Sequence, residues 1–79
     1  LLMSESINES ISVVLWNKAP YSFFWHGRKY RVSVVGMHHT IREGRRLFHI
    51  FSVSDGSNFF KLIFDTETLG WKLLETYGL

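Results

Sequence analysis

The chain contains no cysteine, and proline occurs once in its 79 residues. Without cysteine it forms no disulfide, no thiolate zinc site and no cysteine nucleophile. No apolar run approaches the roughly 20 residues that a membrane-spanning helix needs. A basic segment followed by an apolar one, as in a secretory signal peptide, is also missing. We therefore expect a cytoplasmic protein that has no membrane partner.

The motifs of common enzyme classes are missing as well. The sequence has no G-x-x-x-x-G-K or G-x-G-x-x-G phosphate-binding loop and no G-x-S-x-G nucleophile elbow. Its seven carboxylates are scattered, mostly through predicted loops, so no acid–base pair can be named. The sequence predicts a protein that is not an enzyme and holds no cofactor.

Four histidines are the remaining candidates for metal ligands. His38 and His39 are adjacent, so on a strand they point to opposite faces and do not easily share one ion. A site could combine His26, one of this pair and His49, but no H-x-H or H-x-x-x-H motif supports it. We predict no metal site.

Alternating apolar and polar residues are the main pattern that is present. In residues 29–34, Tyr30, Val32 and Val34 alternate with two cations and a serine, which is typical of a half-buried strand. Similar patterns predict six strands, at residues 11–16, 21–25, 29–34, 47–53, 58–64 and 71–75. A short helix is the alternative for the last of these segments.

Turn residues separate the predicted strands. Gly27 follows the second strand, and Asp55-Gly56 is the strongest hairpin signal in the chain. The sequence thus predicts an all-β fold, a six-stranded antiparallel meander that forms a small barrel or a strongly bent sheet. Residues 1–9 are predicted to be a flexible tail and residues 10–79 one small β-domain. The predicted core consists of Tyr30, Val32, Val34, Phe60, Leu62, Trp71 and Leu73.

Two stretches of the chain carry a resemblance. They read Pro-x-x-Phe-x-Trp-x-Gly-Arg-x-Tyr-x-Val over residues 20–32 and Phe-x-Leu-x-Phe-Asp over residues 60–65, with Gly-Trp-x-Leu at 70–73. This pattern resembles a family of uncharacterised small bacterial β-domains. Similar modules occur at the C-terminus of Y-family-polymerase-like DNA-repair proteins that have lost polymerase activity. The resemblance implies a β-fold and a DNA-repair context, and it brings no catalytic residues.

Charge and surplus aromatic rings predict a binding protein. Residues 18–61 hold eight basic and two acidic residues. Aromatic residues occupy both even and odd positions of the predicted strands, so their rings point to both faces of the sheet. We expect an accessory module that docks on a protein partner or a second copy through exposed aromatics or a sheet edge. The alternative is a module for single-stranded nucleic acid. The candidate partner-binding residues are Trp16, Phe24, Phe48 and Phe59. The candidate nucleic-acid-binding residues are Arg28, Lys29, Arg31, Arg45 and Arg46.

Overall fold

A computed structural model describes residues 3–78 of the protein, which form seven antiparallel strands in one sheet. The strands are β1 (Met3–Trp16), β2 (Ala19–Trp25), β3 (Arg28–Arg31), β4 (Val34–Glu43), β5 (Arg46–Ser54), β6 (Asn58–Asp65) and β7 (Trp71–Gly78). The all-β meander is confirmed, with seven strands in place of six. The helix alternative for the last segment is wrong, and residues 3–78 contain no helix long and apolar enough to cross a bilayer.

Strand β1 is longer than predicted and lies inside the sheet, between β2 and β7. The spatial order is β3-β2-β1-β7-β6-β5-β4. The first part of β1 pairs with β7, from Met3 opposite Gly78 to Ile11 opposite Trp71, and the last part pairs with β2. The prediction of a tail over residues 1–9 is therefore wrong for residues 3–9, because β7 supplies their hydrogen-bonding partner. Residues 1 and 2 of the predicted tail lie outside the described residues.

The predicted strand over residues 29–34 is divided between two edges of the sheet. Val32 still donates its backbone N–H to Tyr21 in β2, whereas the N–H and the hydroxyl of Ser33 both donate to the carbonyl of Ser54 in β5. The chain then continues as β4, a strand that the sequence pattern does not predict. Its pairing with β5 shifts register at Gly36, between Val35 and Met37, which marks a bulge or irregularity there.

The sheet is strongly bent, because rings from distant strands meet inside it. β2 and β6 are three positions apart in the strand order, which would separate them by about 14 Å in a flat sheet. Yet the ring centroids of Phe23 and Phe60 lie 5.0 Å apart, and Tyr30 of β3 lies 5.3 Å from Phe60. The bent-sheet prediction fits this arrangement. The barrel alternative does not, because β3 and β4 remain unpaired with each other.

The core fills the concave side of this sheet. The buried hydrophobic cluster consists of Phe23, Phe51, Val53, Phe60, Leu62 and Leu73. Tyr30, Val32 and Trp71 of the predicted core are half-buried and pack against it. Val34 is 57% exposed, because it lies on β4, after the chain has passed from β3 to the opposite edge of the sheet.

Candidate nucleic-acid interface

The outer surface of β1, β2 and β3 carries exposed rings beside exposed cations. Phe24 lies directly across from Lys29, and directly paired residues share one face of a sheet. The next row of the same face holds Val14 and Arg31, one on each side of β2. Trp16, two residues beyond Val14, completes the row on β1. We call Val14, Trp16, Phe24, Lys29 and Arg31 the basic-aromatic face.

These rings and cations are open to solvent. Trp16 is 74% exposed and Phe24 is 46% exposed. Tyr21, which is the extra residue of a bulge in β2, adds a third ring, and the guanidinium carbon of Arg31 lies 4.2 Å from its centroid. A guanidinium stacked on a ring keeps its edge N–H donors available for an anion such as phosphate.

Tight hairpins hold this face in place. Trp16 pairs with Ala19 across a two-residue turn in which Asn17 and Lys18 both have positive φ. Positive φ at both positions defines a type I′ turn, whose twist matches that of the strands. The turn places the exposed Lys18 immediately beyond Trp16, so a third cation lies at the end of the basic-aromatic face.

Carboxylates are missing from this part of the chain. Residues 10–42 contain neither Asp nor Glu, and they include all of β2 and β3 and the part of β1 that pairs with β2. Glu9, the nearest acid along β1, has a carboxylate oxygen 2.9 Å from His26 Nε2 and accepts a long hydrogen bond from Trp25 Nε1. The basic-aromatic face therefore has a positive potential that no acidic residue within positions 10–42 cancels.

The acid of β7, Glu75, is engaged locally. Glu75 accepts a 2.7 Å hydrogen bond from the Tyr77 hydroxyl and lies 3.3 Å from Lys61 Nζ. These two contacts lower the pKa of Glu75, and its carboxylate in turn raises the pKa of Lys61. Each charge in this cluster is balanced within the β6–β7 pair.

The structure brings together some of the predicted site residues and separates others. Lys29 and Arg31 lie on one face, whereas Arg28 lies against the ring of Tyr30 on the opposite side of β3. Arg45 and Arg46 lie at the turn between β4 and β5. This turn is at the end of β5 remote from Ser33, and the nine-residue strand separates its two ends by about 30 Å. The structure therefore does not bring these five cations side by side, because β3 and β4 occupy opposite edges of the sheet.

The predicted aromatic residues are likewise divided. Trp16 and Phe24 belong to the basic-aromatic face, whereas Phe59 is exposed near the start of β6. Phe48 is half-buried and lines a groove of about 350 Å³ on the outer side of β5, β6 and β7. Sequence reasoning missed Val14 of the basic-aromatic face, and it also missed Tyr21 and Lys18 beside that face. The β-bulge that turns Tyr21 toward Arg31 lies next to Pro20, whose missing N–H is typical of a bulge within a sheet.

An ion pair closes one end of that groove. The Arg46 guanidinium binds the carboxylate of Asp65, which also accepts hydrogen bonds from the backbone N–H groups of Glu67 and Thr68. Desolvation opposes ionisation of Asp65, but these hydrogen bonds outweigh it and lower its pKa. Arg46, a predicted phosphate contact, is thus already paired with an anion.

The histidines are also distributed over different regions. His26 faces Glu9, and His39 lies opposite Ile50 on the outer side of β4. His38 Nε2 and His49 Nδ1 are 2.8 Å apart on the concave side. Among the described residues, no group of three His, Asp or Glu side chains that could hold a metal ion is present.

Comparison with known proteins adds no relative. No protein family, no curated protein and no solved structure matches the chain. The resemblance to DNA-repair modules therefore stays a prediction.

Proposed function

We propose that the protein is a non-enzymatic module that binds single-stranded nucleic acid on the basic-aromatic face. The observation that carries the proposal is the coincidence of exposed rings, exposed cations and missing carboxylates on one three-stranded surface. Stacking on aromatic rings accounts for affinity to unpaired bases of any sequence, and Lys and Arg side chains meet the phosphates between them. The DNA-repair context that the resemblance implies agrees with this function.

The dimensions of the face suit a short stretch of an unpaired strand. Phe24 lies across from Ser12, which is four residues from Trp16 along β1, so the two positions are about 13 Å apart along the strand. A duplex hides its base faces inside the stack, so it offers these rings nothing to stack on. Three cations, Lys18, Lys29 and Arg31, predict that log Kd changes with log salt concentration with a slope of magnitude about 2 on a single strand.

The experiment is an anisotropy titration with labelled oligothymidine of about 12 nucleotides at about 50 mM salt. We expect Arg31→Ala to weaken binding at least about fivefold, because it removes a phosphate contact and the stacking partner of Tyr21. Arg45→Ala removes the same charge from the remote turn, and we expect it to change Kd less than about twofold. Equal effects of the two variants would show that net charge alone causes binding and would overturn the assignment of the face.

The rings have their own matched pair of variants. Phe24→Leu should weaken binding about tenfold, because base stacking on one ring contributes about 1–3 kcal/mol. Phe59→Leu removes a similarly exposed ring from β6 and should leave the affinity unchanged. If the duplex of the same length binds as tightly as the single strand, stacking is not part of the interaction.

Protein docking through the edge strand β4 is a second candidate function. All ten residues of β4 are exposed, and among the described strands it pairs with β5 alone. Residues 34–41 carry no Lys, Arg, Asp or Glu, the charges that commonly protect such an edge. An uncharged edge of this length suits the addition of an extended strand, and a second copy of the chain has one of the right chemistry.

Sedimentation analysis tests this second function. We expect a concentration-dependent dimer that is insensitive to salt, since the contact is made by backbone hydrogen bonds and apolar side chains. Met37→Lys places a charge at a 60% exposed position of the edge and should give a monomer. A wild-type protein that remains monomeric at high concentration would remove β4 as a self-docking site.

A further inference from the structure

We infer that the groove on the outer side of β5, β6 and β7 binds one nucleotide of the same single strand, with its base in the groove and its phosphate at Lys72. The inference rests on the proposed function and extends the path of the strand beyond the basic-aromatic face. The groove has a volume of about 350 Å³. This is at the lower end of the range of about 300–1,000 Å³ that is usual for ligand pockets, so the groove suits one nucleotide rather than several.

The groove forms where two neighbouring strand pairs depart from regular register at the same level. The pairing of β6 with β7 leaves Leu74 as an extra residue of β7. The pairing of β1 with β7 shifts between Ser6 and Glu9, and Asn8 within that shift has a φ of 55°, a left-handed conformation that asparagine tolerates. Bulges bend a strand and redirect its side chains, and here Asn8 and Leu74 both line the groove.

The apolar part of the lining suits the flat face of a base. Phe48, Ile63 and Leu74 line the groove. Ile63 pairs with Ile50, which is 4% exposed although it does not belong to the core cluster of the concave side, so the outer side has an apolar patch of its own. The guanidinium carbon of Arg46 lies 5.3 Å from the centroid of Phe48. Unpaired bases stack on aromatic rings and on guanidinium planes alike.

The polar part of the lining suits the edge of a base. Asn8 has an amide and Ser10 a hydroxyl, so each side chain both donates and accepts hydrogen bonds. The edges of bases likewise carry donors and acceptors. A purely apolar ligand would cover these groups without pairing them, which costs free energy. The combination of apolar and hydrogen-bonding groups therefore favours a base over a hydrocarbon.

Lys72 supplies a charge for the phosphate and joins the groove to the basic-aromatic face. It pairs with Ile63 on one side and with Ser10 on the other, so the three share the outer side. Within the part of the chain that the structure describes, no carboxylate forms an ion pair with Lys72. Ser10 is two residues from Ser12, the partner of Phe24 on β2. Lys72 and Phe24 are therefore about 12 Å apart along the sheet, so a strand stacked on Phe24 reaches the groove.

The first test is anisotropy titration of the full chain with the labelled oligothymidine. We expect Lys72→Ala to weaken binding at least about threefold, because a phosphate contact is lost, and Lys72→Arg to bind as the wild type does. Arg42→Ala is the matched control: it removes the same charge from the edge strand β4, and Kd should change less than about twofold. The three cations of the basic-aromatic face alone predict a salt slope of magnitude about 2. Lys72 as a fourth contact raises it to about 3, and Lys72→Ala should return it to about 2.

Thymidine 5′-monophosphate tests the groove without a strand. In nuclear magnetic resonance spectra, the backbone amide resonances of Ile63, Lys72 and Leu74 should shift saturably with this nucleotide and far less with inorganic phosphate, which has no base. Equal shifts with inorganic phosphate would overturn the inference. A mononucleotide that binds more tightly than the oligonucleotide would overturn the placement of the ligand on a strand.

Phe24→Leu separates the groove from the basic-aromatic face. If Phe24→Leu weakens the oligonucleotide but Lys72→Ala does not, the proposed function stands and the groove assignment is wrong. If neither variant changes the affinity, both assignments are wrong. Equal effects of Lys72→Ala and Arg42→Ala would show that net charge alone acts at the groove and would also overturn its assignment.

Discussion

Replacing Phe23 by alanine tests whether the bent sheet depends on one buried ring. Phe23 has no exposed surface, and its ring lies 5.1 Å from that of Tyr30 and 5.0 Å from that of Phe60. Truncation of a core Phe to Ala costs about 3–5 kcal/mol, and loss of two aromatic pairs favours the upper half of that range. A domain of 79 residues has a total stability of about 4–12 kcal/mol. We therefore expect a variant that is close to unfolding at room temperature.

The assay is urea denaturation followed by tryptophan fluorescence, with Phe24→Ala as the control. Phe24 is the next residue along β2, but it points to the outer surface and is 46% exposed. Its truncation should cost only about 1 kcal/mol, because roughly half of the side chain is buried. Equal losses in the two variants would refute the alternation on which both the core and the basic-aromatic face depend.

Two further predictions concern a turn and a carboxylate. Gly27→Val should cost more than about 1 kcal/mol in a thermal melt, because Gly27 has a φ of +72° beside His26 at +53°, and a β-branched residue resists that conformation; an unchanged melting temperature would contradict the turn assignment. Glu75→Gln should make stability less sensitive to acid. The hydrogen bonds from Tyr77 and Lys61 hold the pKa of Glu75 below its ordinary 4.5, so their contribution is present above that pH and is lost as the pH falls through the folded-state pKa. The urea midpoint of the variant should fall less than that of the wild type between about pH 6 and pH 3, and an identical fall in both would contradict it.

The sequence was sufficient to predict the strands that alternate cleanly. Residues 58–64 and 71–75 lie within β6 and β7, and the Asp55-Gly56 hairpin joins β5 to β6 as predicted. β4 was missed because its residues are exposed on both faces and so do not alternate between apolar and polar side chains. The pairing of residues 3–6 with β7 was missed because their polar composition resembles a tail, and only the distant partner reveals them as a strand.

The candidate site was predictable in part. Residue type and strand parity correctly suggested that Trp16 and Phe24 lie outside the core, and both are exposed. Which cations accompany them depends on strand order, and no local pattern shows that β3 and β4 lie on opposite edges. Long-range pairing also determines that His38 meets His49, because the register of β4 against β5 brings them together.

The pairing of the first strand with the last has a consequence for the order in which this protein folds. Met3 opposite Gly78 and Ile11 opposite Trp71 are contacts between residues at least 60 positions apart, so the loop that they close spans most of the molecule. Contacts of such high sequence separation carry a large closure entropy and slow the folding of small domains. During synthesis, β1–β2–β3 and β4–β5–β6 are complete before β7 is available to join them. The two parts therefore have to wait for the final strand to leave the ribosome before they form a single cooperative unit.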